Sequence, residues 1–438
     1  MSARDDTERL VAATTRPAWA GRIDALLREK RIELDSDGGH LLALLTRPTL
    51  ADEAEVQTLG ADGRALIALQ SRLITKEIDR VGRDGFLDLM AVPDLFRRFV
   101  NWDELCDPAY LVGRLDLLET DRGFICCEIN VDSCVAGAEI YDVGRDVMQA
   151  LGLPDTRLPS RPLDDLAALV AERAEAHEAG RIVILDWSVG GGTGGKGYLS
   201  FERMRAAVAR QADCPVHIAD ELSFDPAWLG PETFVHRGFM MEEISDDGRM
   251  LDRLLDAGTP VYSTFEADIR MDKVWFARFW EARRNGALDE EETALVDRFV
   301  PESWELSEDR LDAFLARKDE LIFKIRRAFG GKGILIGAEE SADSLRAEIR
   351  RSSAANWIAQ AMLAPLTLDL PDTTGGAETH ELVYGLYLYG RRANGFMLRG
   401  STRSRVVNVS IGNARINWAM ALSEADRNAL IAGLEATA

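Results

Sequence analysis

The chain is poor in the residue types that most often announce covalent or metal-centred chemistry. Its 438 residues include five cysteines and five histidines. The cysteines (Cys106, Cys126, Cys127, Cys134 and Cys214) form no CxxC pair, are odd in number and include an adjacent couple. That spacing excludes a disulfide framework and a structural zinc site, and fits a reducing cytoplasm. Cys127 and Cys134 read as small packing residues. The histidines (His40, His177, His217, His236 and His380) are scattered, and no Ser-His-Asp or Cys-His set emerges around them. No apolar run approaches the ~20 residues needed to cross a bilayer. Residues 1–9 are charged and lack an apolar core, so no signal peptide is expected. A cytoplasmic location and no membrane partner follow as expectations. Basic residues are also in deficit. The 52 Lys and Arg against 74 Asp and Glu leave a net charge of −22. Long-range repulsion of a phosphate backbone therefore argues against nucleic acid as a partner. Internal repeats and low-complexity tracts are missing too.

What is present is the composition of a soluble globular protein, 46% hydrophobic and 29% charged, long enough for two or three units. Apolar spacing of three and four predicts helices over residues 20–33 and 61–81, with a further helix from Pro93. The N-terminal region, 1–105, is thus expected to be helical. Residues 111–131 read as a β-hairpin and 138–151 as a helix, forming a segment 106–160 closed by a Pro-, Ser- and Arg-rich loop. Across 161–271, helical patterns alternate with short apolar runs such as RIVIL at 181–185, the pattern of a small doubly wound α/β subdomain. Residues 272–438 mix helices with strands at 320–324, 333–337, 357–362, 381–389, 395–400 and 406–409, an α+β arrangement.

The hairpin carries the most informative constellation. On 111–118 the apolar face is Leu111, Leu115 and Leu117, leaving Arg114 and Asp116 opposite. On 124–131 the apolar face is Ile125, Cys127, Ile129 and Val131, leaving Cys126, Glu128 and Asn130 opposite. With Arg122 at the centre of the turn, Asp116 lies across from Glu128 and Arg114 across from Asn130. Asp116, Glu128 and Asn130 then make an oxygen-rich cluster suited to Mg²⁺, which takes one or two carboxylates plus substrate phosphates. The same alternation also describes the solvated face of any antiparallel hairpin.

Two glycine-rich loops compete as phosphate sites. Residues 190–197, GGGTGGKG, follow a buried strand and precede a helix, but Gly197 stands where a phosphate loop needs Ser or Thr. A mobile loop covering a substrate and a plain connection are the other readings of it. The second, KIRRAFGGKG at 324–333, joins two strands and would fold over a triphosphate with Lys324 and main-chain donors.

Taken together these parts resemble the ATP-grasp fold in its circularly permuted form, most closely the synthetase domain of glutathionylspermidine synthase and its relatives. The likeness runs over about residues 100–410. It rests on Arg114 and Asp116, then Glu128 and Asn130; on Asp272-Lys273 opening a helix; on Lys324 with Gly330, Gly331 and Gly333; on Ile358-Ala359-Gln360; and on glycines 385, 390 and 395 with Arg399. The lid departs from the family's usual sequence, and loop 190–197 has no counterpart in it. The resemblance implies a multi-subdomain fold of α/β and α+β parts, with 106–160 and 272–438 forming the nucleotide-binding core and lid, and 161–271 the substrate subdomain. It implies an ATP- and Mg²⁺-dependent ligase that joins a small-molecule carboxylate to an amine through an acyl phosphate. Asp116, Glu128 and Asn130 would hold the metal. Lys273, Lys324, Gly330, Gly331 and Gly333 would contact phosphates, and Gln360 would face adenine. Arg114, with Arg399 as a further candidate, would stabilise the transferring phosphoryl group. Gly192, Gly194 and Arg237 are candidates for a substrate carboxylate, Arg237 because it ends a strand of an α/β sheet. Two other classes stand beside this one: a phosphate-loop NTPase or kinase using Lys196, and a nucleotide-binding scaffold without catalysis. The oligomeric state is open, a homo-oligomer included.

Overall fold

In the computed structural model of the chain, the described residues are 2–35, 43–108, 111–133, 137–138, 140–188, 199–328, 332–372, 376–402, 407 and 414–436. They build three sheets. The largest has seven strands. Its path runs Thr49–Asp52, Arg415–Leu422, Arg392–Ser401, Ala377–Tyr389, Val112–Thr120 and Gly123–Val131, with Thr367–Pro371 added to the first half of Ala377–Tyr389. Only the outermost pair, Thr49–Asp52 with Arg415–Leu422, is parallel. Strand alternation splits this sheet's side chains between two cores. Leu115, Leu117, Leu386, Leu388 and Phe396 pack with Val56, Leu59 and Leu66 of the helix Glu53–Leu89. Tyr387, Met397 and Trp418 pack on the opposite face with Tyr141, Val147 and Met148 of the helix Ile140–Ala150.

The second sheet has four parallel strands in the order Val216–Ala219, Arg181–Leu185, Thr233–Arg237, Val261–Tyr262. Helices Leu199–Ala209 and Arg249–Asp256 lie in the connections between them, and Pro162–Ala176 leads into the first, Arg181–Leu185. The third sheet is antiparallel, in the order Ile334–Ile336, Leu321–Ile325, Trp357–Ala361, Ser303–Glu305. Leu321, Phe323, Trp357 and Ala359 point outward onto Leu311, Phe314, Leu345 and Ile349 of helices Leu311–Leu315 and Ala342–Arg351. By the same period of two, Ile322, Lys324 and Gln360 point inward, toward the hairpin.

One expectation is corrected here. The region 1–105 is not purely helical, because Thr49–Asp52 is a strand of the large sheet. It is four residues long and runs directly into the helix that Asp52 caps, leaving no alternation to read. The C-terminal part ends in the strand Arg415–Leu422 and the helix Glu424–Ala436. The strand expected at 406–409 falls on positions of which only 407 is described, and that residue is not in a strand. A buried ion pair closes the chain's two ends together. Arg427 of the last helix reaches Asp6 of the first at 2.9 Å and Asp52 at 2.7 Å. Among the described residues, no helix is long and apolar enough to cross a membrane.

Candidate functional site

The hairpin delivers its carboxylates in register by a route different from the one expected. Thr120 pairs with Gly123, so the turn is the two residues Asp121 and Arg122 rather than a loop centred on Arg122. That turn alone would pair Asp116 with Cys127. The ladder instead slips between Asp116 and Leu117, where Cys127 is the extra residue of a β-bulge, and Asp116 then pairs with Glu128 and Arg114 with Asn130. The bulge also exchanges the expected faces of two cysteines. Cys126 is fully buried in the core with Leu115 and Leu117. Cys127 lines the site cavity instead of packing, its thiol donating to the Asp116 carbonyl at 3.2 Å.

Around these residues lies a cluster of cations. Asp116, 3% exposed, takes Arg114 Nε at 3.0 Å and Arg399 Nη2 at 2.6 Å on the same oxygen, Oδ1. Arg114 fits because Gly385 lies opposite Asp116; a Cβ there would come within 2.8 Å of Arg114 Cδ. Burial pushes the Asp116 carboxyl up, but Arg399 and Arg114 outweigh it and hold it below the usual carboxylate range. Lys273 Nζ pairs with Glu128 Oε1 at 3.0 Å and also donates to the Ala328 carbonyl at 2.8 Å. Lys324 Nζ, on the third sheet, donates to the Cys127 carbonyl at 3.0 Å and so ties that sheet to the bulge. Asn130 Nδ2 donates to the Arg114 carbonyl at 3.2 Å.

A cavity of about 110 Å³ opens between the large sheet and the antiparallel sheet. Ile322, Ile334, Ile336, Leu382 and Val383 form the apolar part of its wall, together with Gln360. Gln360 is buried and donates to Ser303 Oγ at 3.2 Å. Asp116, Glu128, Lys324 and Arg399 are the charged part of the same wall, with Ile334 paired to Lys324 and Val383 paired to Arg399. Counting Lys273 and Arg114 behind them and Glu381 on the wall, four cations face three carboxylates, a local excess of positive charge in a chain of net −22. Arg399 Nε is buried with no hydrogen-bond partner among the described residues. A donor orphaned at a cavity wall is what an anionic ligand satisfies.

The donor set also fits a hard divalent cation. Two carboxylates pair across the hairpin with an amide two pairs further on, which is enough for Mg²⁺ when phosphate oxygens complete its shell. Among the described residues no group of three or more Asp, Glu, His or Cys converges, so this is not a closed protein cage.

The remaining expected residues divide. Gly333 ends the glycine turn with φ +67°, and a Cβ on it would meet Ile325 Cγ2 at 2.3 Å. Gly330, Gly331, Gly192, Gly194 and Lys196 lie outside the described residues. Arg114 is at the site but sits behind Asp116, whereas Arg399 lines the cavity. Arg237 departs most from expectation. Its guanidinium is fully buried and committed to protein oxygens: the Asp132 carboxylate at 2.6 Å, the Ser263 carbonyl at 2.7 Å and the Ser263 hydroxyl at 3.0 Å. A substrate carboxylate would have to displace a buried ion pair, so Arg237 is withdrawn as a substrate residue. The sequence reading missed Cys127, Glu381 and the apolar wall. Of these, Ile322 was within reach, because it shares the strand face of Lys324.

No protein-family model matches the chain, and no curated protein sequence does. Solved structures do match. The chain is similar to a glutathione synthetase-like effector from Globodera pallida, solved in its apo form, with a TM-score of 0.58 and 10% identity, over 92% of this chain and 98% of that one. The two share a mixed α/β fold of several sheets.

Proposed function

We propose that the chain is an ATP-dependent carboxylate–amine ligase of the circularly permuted ATP-grasp type. One observation carries this reading: Asp116, Glu128 and Arg399 from one sheet and Lys324 from another line one cavity whose wall also includes Ile322, Ile336, Leu382 and Val383. A flat base against Ile322, Ile336 and Val383, with Gln360 at its edge, and a polyphosphate against Lys324 and Arg399 is the ligand that this mixed lining suits. The fold shared with a glutathione synthetase-like protein is compatible with it. The permutation is proposed because the acidic hairpin precedes the Lys324 strand in the chain.

In this reading Asp116 and Glu128, with Asn130, hold Mg²⁺, which neutralises charge on phosphate oxygens. Lys324 and Lys273 orient the triphosphate. Arg399, placed on the cavity wall, takes the role first expected of Arg114, which keeps Asp116 ionised from behind. A substrate carboxylate oxygen attacks the γ-phosphorus, the bond to the β–γ bridging oxygen breaks, and ADP leaves. The amine lone pair then attacks the acyl carbon, the C–O bond breaks with its electrons, phosphate departs and the nitrogen loses a proton. No protein nucleophile is needed, in keeping with the absence of a Cys-His or Ser-His-Asp set. Segment 161–271 would bring the acid and amine, with Gly192 and Gly194 in its loop as contacts. The test is ADP release on adding mixed small carboxylic acids and amines with ATP and Mg²⁺. Glu128→Gln should abolish it.

A second reading, nucleotide binding without turnover, is favoured by the double engagement of Asp116 Oδ1 by Arg114 and Arg399. ATP binding with no ADP release in any acid–amine mixture would select it.

A further inference from the structure

A second, larger cavity of about 280 Å³ lies at the tip of the same hairpin. It is on the other face of the large sheet. Leu118 and Val383 line the first cavity, and their next neighbours, Glu119 and Tyr384, line this one, as strand alternation requires. The start of the first helix and the strand Thr49–Asp52 close it from above.

Its chemistry is unlike that of the first. Three aromatic rings form one corner. Phe124 and Tyr384 meet edge to face at 5.1 Å, Phe124 and Phe396 stack at 5.5 Å, and Tyr384 and Phe396 meet edge to face at 5.3 Å. The same cavity is lined by the acidic residues Glu55, Glu119 and Asp121. Partial burial of its carboxyl raises Glu55 above its ordinary value and the negative charge of Glu119 adds to this, although the residue as a whole is exposed. Glu119 accepts from the Tyr384 hydroxyl at 2.9 Å and from Arg4 at 3.2 Å. Arg4 also lies 3.6 Å from Glu8, so the one cation of the wall is engaged by carboxylates. Thr49, 3% exposed, lines the cavity with a hydroxyl that has no partner among the described residues.

We propose that this cavity binds an organic ammonium ion, a primary amine carrying a small apolar body. The body would lie in the aromatic corner, where ring faces attract a cation as well as hydrocarbon. The ammonium would donate to Glu55, Glu119 and the orphaned Thr49 hydroxyl, bonds strengthened by charge. A metal ion does not suit the space. No three metal-ligating side chains converge among the described residues, and the volume is many times the ~30 Å³ share of a water. An anion does not suit it either, since three carboxylates, Glu55, Glu119 and Asp121, meet one engaged arginine among the described residues of the wall. The site is separate from the proposed reaction centre, and a ligand here would act across the sheet that carries Asp116.

Benzylamine and its neutral counterpart benzyl alcohol test this by calorimetry on the full chain at neutral pH. Benzylamine should bind at least about tenfold more tightly than the alcohol. The Glu55→Gln/Glu119→Gln variant should erase that preference, with its folding checked by an unchanged melting temperature. Should that variant fail to fold, Thr49→Val and Glu55→Gln singly should each weaken benzylamine binding and leave the alcohol unaffected. Lys324→Met, at the other cavity, should leave both probes unchanged. No benzylamine binding, equal binding of the two probes, or a preference that survives loss of the carboxylates would overturn the proposal.

Discussion

Replacing Asp116 by Asn asks the most of the site in a single change. The substitution keeps shape and removes the charge that two guanidiniums share at 3.0 and 2.6 Å on one oxygen. Arg114 and Arg399 are both largely shielded from water, so each is left as a buried cation without its counter-charge. Breaking a buried pair by removing one partner costs about 3–5 kcal/mol. For 438 residues the unfolding entropy is roughly 0.9 kcal/mol per kelvin, so the melting temperature should fall by about 3–5 °C. The pH dependence has a fixed sign. Because the Asp116 carboxyl is held below its ordinary value, its stabilising share is complete above about pH 4 and is lost as pH falls further, through the folded-state pKa. Asp116→Asn should therefore flatten the acid limb of the stability profile. It should also abolish the rise in melting temperature that ATP with Mg²⁺ gives the parent chain. Scanning calorimetry across pH, with and without nucleotide, reads all three effects. A variant that melts within about 1 °C of the parent and still responds to ATP would refute both the clamp and the metal role.

Lys324→Met should weaken ATP binding by about tenfold or more, the loss of one charge-assisted contact of about 1.5–3 kcal/mol, measured by titration calorimetry. Gly333→Ala should destabilise the turn after Lys324, since its φ of +67° and the 2.3 Å approach to Ile325 Cγ2 leave no room for a methyl; protease cleavage near 324–333 should accelerate while the rest of the chain resists. Cys127 should react slowly. Burial pushes its thiol up to about 11, with Lys324 opposing only in part. Roughly 0.1% is then thiolate at about pH 8, and mass spectrometry after brief iodoacetamide treatment should find Cys127 unmodified. Rapid alkylation there would mean that the bulge does not hold the thiol against Asp116. Arg427→Met should cost about 3–5 kcal/mol by stranding Asp6, read as a lower denaturation midpoint.

Much of the site was legible because the hairpin's two strands each carry a clean period of two, which fixes which residues share a face. The bulge was not, because Cys126 and Cys127 are alike and neighbouring, and no side-chain pattern says which of them is extra. The pairing of Asp116 with Glu128 was therefore reached with the wrong turn centre, and the cysteine faces came out exchanged. Lys324 was legible from the glycine-bearing loop that follows it, and Gln360 only through the family resemblance. The strand Arg415–Leu422 was not, since seven of its eight residues are buried, Asn417 among them, and a strand buried on both faces shows no alternation. Arg237 misled because a charged side chain at a strand end looks like a binding group. Its partner Asp132 lies 105 residues away, so the pair is invisible until the chain is folded.

The most direct measurement is a crystal structure with Mg²⁺ and a non-hydrolysable ATP analogue. The expected density has phosphates against Lys324 and Arg399, the ion on Asp116 and Glu128, and the base between Ile322 and Val383 beside Gln360. Nucleotide density on loop 190–197 next to Lys196, with nothing between the two sheets, would contradict it.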